Sequence, residues 1–305
     1  MIVNNWDAAF TAQYGYDFPD TYLCFDTEFT GSSENTDLIL EIGHTMVEKG
    51  EIVDQVNYVL NWYSHPDIKS SWLDYKLDTM RAVVGPKWRL LPQVIKTEGH
   101  DPVTILRFYH KLFSTWQKRN LCFVAQNGQH ADERLLRGNF FRYLNKSFEL
   151  PADKYFDTGA IFKATQIWES PETQNYRLAV LPARSDTLKA YFSRVINMRL
   201  AGIRWSLPII LEHYDLINKK NLDMNNHHTA GFDSQCLHWI MEAYRETVKQ
   251  PKINNQPVIT TPSTYLSPSH LEELIEEEIQ KNNDAKKGYK PIIKRSPIPR
   301  RQRLR

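Results

Sequence analysis

Between Tyr22 and Leu60 three strand-like runs follow one another with almost no intervening chain, and from Asp101 onward helix-like and strand-like runs alternate. Tyr22 to Phe25 is a short apolar run ending directly in Asp26-Thr27-Glu28 and a turn-like Gly31-Ser32-Ser33. Leu38 to Val47 is mostly apolar, Lys49-Gly50 supplies a turn and Glu51 to Leu60 returns, which predicts an antiparallel hairpin. Asp101-Pro102 reads as an N-cap and first-turn proline, opening a helix in which Ile105, Phe108, Leu112 and Trp116 recur at helical spacing. A strand is predicted at Leu121 to Ala125, a helix from about Ala131 to Leu144, a strand at Lys154 to Phe156 and a helix at Thr158 to Trp168. A last helix, residues 229 to about 248, is expected to line one apolar face with Phe232, Cys236, Trp239, Ile240 and Ala243. Three strands followed by such alternation predict a layered α/β domain with helices on both sheet faces.

With 305 residues, 41% of them hydrophobic, the chain has material for one sizeable core. One domain is expected over residues 1–250, interrupted at about 62–100 by an irregular or partly helical insertion containing Trp62, Trp72 and Trp88. After it, Pro251, Pro257, Pro262 and Pro268 suggest a linker, Ser269 with Glu272 a capping box before a Glu-rich helix, and the basic end a flexible tail that could meet nucleic acid or a partner. Residues 251–305 hold 11 Lys/Arg against 6 Asp/Glu, leaving 27 against 30 for the body. A slightly acidic body that binds a polyanion needs local positive charge or bound metal ions. No run of about 18 apolar residues occurs, and the first ten residues lack a basic and an apolar segment, so no membrane association is expected. Cys24, Cys122 and Cys236 each sit in an apolar stretch, which suggests buried thiols and a cytoplasmic location.

Asp26 and Glu28 are two residues apart, so on an extended strand they share a side and could face one cation. An Asp-x-Glu at a strand end is equally read as a solvated strand end or a helix cap, Asp132 alone as an ordinary helix N-cap, and a lone histidine as structural. Three segments taken together shift that balance. LCFDTEFTG at Leu23 to Gly31, FVAQNGQHADERLL at Phe123 to Leu136 and HHTAGFDSQCLHW at His227 to Trp239 resemble, in that order, the three motifs of the DEDD exonuclease superfamily. His228 precedes Asp233 by five residues with Ala230 between them, as in the histidine-type, or DEDDh, subclass; His227 stands one residue too early. Asn127 precedes Asp132 by five residues, a spacing similar to that of the three-prime repair exonucleases. Gln126 and Ala131 depart from the pattern, standing where histidine and an aromatic residue are usual. Asp157, in a D-T strand end that also resembles the family, is read as a capping residue.

The resemblance covers roughly residues 20–248. It implies a ribonuclease H-like three-layer α/β fold whose central five-stranded mixed sheet has order 3-2-1-4-5 with strand 2 antiparallel. It implies a 3′→5′ exonuclease acting on nucleic-acid 3′ ends, DNA more readily than RNA, in keeping with a repair nuclease. It also implies two divalent ions, Mg²⁺ or Mn²⁺, held by Asp26, Glu28, Asp132 and Asp233, with His228 as general base. Thr27, Phe29 and Asn127 are expected to touch substrate; for Phe29, stacking on a base and plain core packing are equally open. An exoribonuclease of the same fold, or a nucleic-acid-binding module with little catalysis, remains compatible with the motifs.

Overall fold

The computed structural model describes residues 10, 18–85, 88–183, 185–200 and 202–247. Five strands form one sheet: β1 (Tyr22–Phe29), β2 (Ile39–Glu48), β3 (Glu51–Val59), β4 (Cys122–Ala125) and β5 (Tyr155–Asp157). Their order across the sheet is β3-β2-β1-β4-β5. β2 runs antiparallel to both β1 and β3, while β4 and β5 run parallel to β1, as the resemblance implied. Burial follows position. β2 is buried over nine of its ten residues, whereas β3, at the edge, alternates between exposed and half-buried positions, the period of a strand with one wet face.

Side-chain alternation then assigns each face a cover. Tyr22 bonds His238, Thr45 bonds Ser234 and Gly43 lies against Gly231, so Tyr22, Cys24, Asp26 and Glu28 of β1 face the C-terminal helix. The other face presents Phe25 and His44 to Phe113 and Tyr109 of a second helix. A Cβ on Gly43 would fall 2.2 Å from the Gly231 nitrogen, so the absent side chain is what lets the helix start lie directly on the sheet.

The helices, in chain order, are α1 (Ser70–Val84), α2 (Pro92–Glu98), α3 (Pro102–Lys118), α4 (Asp132–Leu144), α5 (Thr158–Glu169), α6 (Leu188–Asn197), α7 (Leu207–His213), α8 (Leu216–Lys219) and α9 (Ala230–Thr247). α3 begins as its sequence predicts: the Asp101 carboxylate accepts from the Thr104 amide at 2.8 Å, and Pro102 opens the first turn. α9 buries Asp233, Cys236, Leu237, Ile240, Met241 and Tyr244, while Phe232 and Trp239, expected on the same stripe, flank it half-buried.

Residues 62–100 are more regular than expected. α1 turns Leu73, Leu77, Met80 and Val84 inward at spacings of four, three and four, and leaves Tyr75 and Val83 exposed. Those two exposed apolar residues, together with Trp72, blur the 3.6-residue period when the sequence is read alone. The insertion leaves and rejoins the domain at one point, where Leu60 bridges His100 beside β3. Trp62 is fully buried and donates its indole N–H to the Ile39 carbonyl at 2.6 Å. Between α5 and α9 the chain adds a 3₁₀ segment at Pro171–Val180, α6, α7, α8 and a short 3₁₀ turn at Met224–Asn226, none of which the sequence reading assigned. The linker, acidic helix and basic end expected after residue 250 lie outside the described residues.

Candidate active site

Asp26 and Glu28 lie in the last turns of β1, opposite Gly43 and Glu41 of β2, and a bulge between Glu28 and Phe29 ends the regular ladder there. Bulges at strand ends re-aim side chains, and here the strand opens onto a cleft of about 370 Å³. The cleft is lined by Asp26, Thr27, Glu28 and Phe29 from β1, Gln126, Asn127, Ala131 and Asp132 from the turn after β4, and His227, His228, Asp233 and Leu237 around the start of α9. Every site residue expected from the sequence therefore reaches one cavity. Asp26, Glu28 and Asp233 each place a carboxylate oxygen within 4.8 Å of the others. Asp132 stands at the first position of α4, buried, with its Oδ1 accepting from the Thr27 hydroxyl at 2.5 Å.

Thr27 lines the cleft, and its buried hydroxyl is committed to Asp132, so it also positions a carboxylate. Asn127 sits with φ +55° in the turn, and its buried Oδ1 has no hydrogen-bond partner among the described residues. Phe29 is half-buried, packed on the core and lining the cleft at once. Asp157 caps α5, accepting from the Ala160 amide at 3.0 Å and the Tyr155 hydroxyl at 2.6 Å, as its reading predicts.

The carboxylates crowd one another. Burial raises the Asp26 carboxyl well above the usual range, and Asp132, Asp233, Glu28 and Glu41 push it further in the same direction. Burial lifts Asp132 to about 7 against the bond from Thr27. A partly enclosed cluster of hard oxygen donors with no cation among its lining side chains suits divalent Mg²⁺ or Mn²⁺, so the residues present fit the metal that the motifs imply. His228, with φ +67°, lies at the rim with its side chain about 39% exposed and its Nδ1 3.6 Å from Glu28 Oε1. That contact raises its pKa above the ordinary imidazole value, with burial opposing.

The sequence reading missed four contributors. His227 bonds Asp233 Oδ1 through Nδ1 at 3.0 Å and stacks on His228 with ring centroids 3.9 Å apart. Glu41, fully buried behind the cluster, accepts from Arg89, from Asn57 at 2.5 Å and from the Ala230 amide at 3.3 Å. Met80 and Val84 of α1 form one wall of the cleft, so the insertion belongs to the site. Another wall is Trp205-Ser206-Leu207-Pro208, anchored by the Gln126 amide, which donates to the Trp205 carbonyl at 2.8 Å. Gln126 is one of the two departures from the family motif, and the only sequence signal for that wall.

No protein-family model and no curated protein matches the chain. Solved structures similar to it include a zinc-bound complex of E. coli exonuclease I with single-stranded DNA, at 14% identity and a TM-score of 0.48 over 76% of this chain and 41% of that one. E. coli exonuclease I with a dA16 oligonucleotide matches at 14% identity and a TM-score of 0.47, over 75% of this chain and 42% of that one. Exonuclease X in complex with 5′-overhanging duplex DNA matches at 15% identity and a TM-score of 0.34, over 75% of this chain and 92% of that one. The chain spans about two-fifths of the length of the exonuclease I structures. What decides the architecture is the sheet itself, ordered 3-2-1-4-5 with only its second strand reversed and helices on both faces. The fold is ribonuclease H-like. In this ribonuclease H-like sheet the candidate site lies where the parallel strands β1 and β4 end, the edge at which open α/β sheets present their ligand crevices.

Proposed function

We propose that this chain is a metal-dependent 3′→5′ exonuclease that releases nucleoside 5′-monophosphates, with a preference for single-stranded DNA. The observation that carries this reading is the convergence of Asp26, Glu28, Asp132, Asp233 and His228, from three segments far apart in sequence, on one cleft. Asp26, Glu28, Asp132 and Asp233 would hold two divalent ions. Ions bound there would lower the pKa of an attacking water and stabilise charge on the leaving 3′ oxygen.

The chain's own residues supply the rest. His228 directs Nδ1 toward Glu28, which leaves Nε2 to take the proton of the water that attacks phosphorus. Phosphorus gains the water oxygen, its bond to the 3′ oxygen of the penultimate nucleotide breaks, and the terminal nucleotide departs with the phosphate. Thr27 and His227 hold Asp132 and Asp233, while Phe29 and Asn127 face the terminal nucleotide, an aromatic face binding a base without sequence preference. The polarity rests on the resemblance of the three motifs, and the lean to DNA on the Asn127–Asp132 spacing within it.

The test is degradation of matched 5′-labelled single-stranded DNA and RNA with Mg²⁺ or Mn²⁺, with EDTA and Asp26→Asn as controls. A ladder shortening from the 3′ end is expected, faster on DNA, absent in EDTA and reduced at least ~10³-fold in the variant. A ladder that persists in Asp26→Asn, or none with either metal, sinks the proposal. Faster loss of RNA reassigns the sugar.

A further inference from the structure

Among the described residues no lysine or arginine lines the catalytic cleft, so apart from ions bound there a strand entering it meets cationic side chains elsewhere. A second cavity, of about 450 Å³, adjoins the Trp205 wall, lined in part by the residues directly before and after it in the chain. It is lined by Phe162 and Gln166 of α5, by Gly202, Ile203 and Arg204, and by Ile209, Glu212 and His213 of α7. The two cavities share one partition, because Trp205 to Pro208 line the first while Ile203, Arg204 and Ile209 line the second.

The partition is held from both sides. Gln126 fixes the Trp205 carbonyl, and the Trp205 ring lies so close over Gly159 that a Cβ there would meet it at 2.8 Å. The polar side chains around the second cavity are uncommitted: those of Gln166, Arg204 and Glu212 form no hydrogen bond or ion pair among the described residues, and His213 makes only ring contacts, with Phe162 at 5.0 Å and with Tyr214. By contrast Arg89, Arg137, Arg142, Arg194 and Arg245 are all engaged.

We infer that this cavity is a second nucleotide subsite, which takes an internal nucleotide of the same strand whose 3′ end occupies the catalytic cleft. The inference rests on the exonuclease reading for the identity of the strand. A nucleotide joins a flat apolar face to a charged phosphate, and the cavity offers both complements. Half-buried Ile203 and Ile209, over buried Phe162, provide apolar surface for a base, Gln166 and Glu212 polar atoms for its edge, and exposed Arg204 a guanidinium for a phosphate. Glu212 beside Arg204 disfavours a free phosphate ion and favours a ligand that also brings hydrogen-bond donors.

The test measures binding of a fluorescein-labelled single-stranded decamer to the full chain carrying Asp26→Asn, which blocks cleavage, with and without Arg204→Ala or Gln166→Trp. Arg204→Ala is expected to raise Kd about tenfold and to flatten the dependence of log K on log salt by about 0.7, the loss of one phosphate contact on a single strand. Gln166→Trp, which fills the cavity without removing a charge, is expected to raise Kd by a similar factor. Unchanged Kd in both variants overturns the subsite, and so does a weakening by Arg204→Ala with no change in salt slope. A parallel assay of the wild-type chain on the p-nitrophenyl ester of thymidine 5′-monophosphate and on the decamer separates this inference from the catalytic reading. Cleavage with unchanged binding rejects the subsite alone; the expected binding changes with no cleavage of either substrate reject the exonuclease alone.

Discussion

The cost of burying a carboxylate within the cluster is legible at Asp132. In the unfolded chain its carboxyl titrates near 3.8, and in the folded chain at about 7. Between those values the folded state holds the extra proton, so the metal-free fold loses stability as pH rises through this window and gains nothing from this group above it. Asp26 is displaced in the same direction. In EDTA, thermal unfolding is therefore expected several degrees higher at about pH 5.5 than at about pH 8, and Asp132→Asn should remove part of that difference. Differential scanning fluorimetry reads both; a melting temperature that climbs with pH in the wild type would mean that burial does not hold these carboxyls in the protonated form. At this scale Asp26, Glu28, Asp132, Asp233 and His228 were readable from motif spacing, whereas His227 was set aside by one position. Spacing along a chain does not show that a left-handed backbone at His228 lets the residue before it turn back onto Asp233.

Among the elements, the junction of the insertion with α9 is where packing and chemistry meet. Glu41 of β2 is buried, and burial raises its pKa while Arg89 and Asn57 oppose that shift. Its partners come from three places: Arg89 from the insertion, Asn57 from β3 and the Ala230 amide from the start of α9. Arg89→Ala leaves a buried carboxylate without its cation and is expected to cost about 2 kcal/mol, less than a fully buried pair because the Arg89 side chain is partly exposed. Glu41→Gln in the same chain should restore at least half of the loss by removing the stranded charge. Denaturant unfolding of the single and double variants measures this. If the double variant is no more stable than Arg89→Ala, the two residues are not coupled and the network does not secure α9. Nothing in the local sequence pairs residue 41 with residue 89; that contact exists because the insertion folds back to bring Arg89 onto Glu41 of β2.

For the molecule as a whole, the proposed function makes a divalent cation at the acidic cluster part of its stability. Mg²⁺ at about 10 mM is expected to raise the melting temperature by roughly 3–8 °C at neutral pH, with EDTA reversing it and Asp26→Asn reducing the gain by more than half. An equal rise in the variant would place the bound metal elsewhere. The sequence by itself determined the succession of the five strands with α3, α4, α5 and α9, the hairpin, the cap of α3 and the residues of the candidate carboxylate cluster. Each of these depends on local chemistry: apolar period, turn residues, a capping carboxylate, or short motifs at strand ends and helix starts. It did not determine the walls of the cleft. Met80 and Val84 come from a helix whose period is blurred by exposed Tyr75 and Val83, and Trp205 to Pro208 come from a stretch with no continuous pattern. Their place at the site is decided by the Leu60–His100 bridge and by Gln126 reaching the Trp205 carbonyl. Both are long-range contacts, and a contact between residues 40 or 79 positions apart is fixed by how layers pack, not by the side chains that neighbour each residue along the chain.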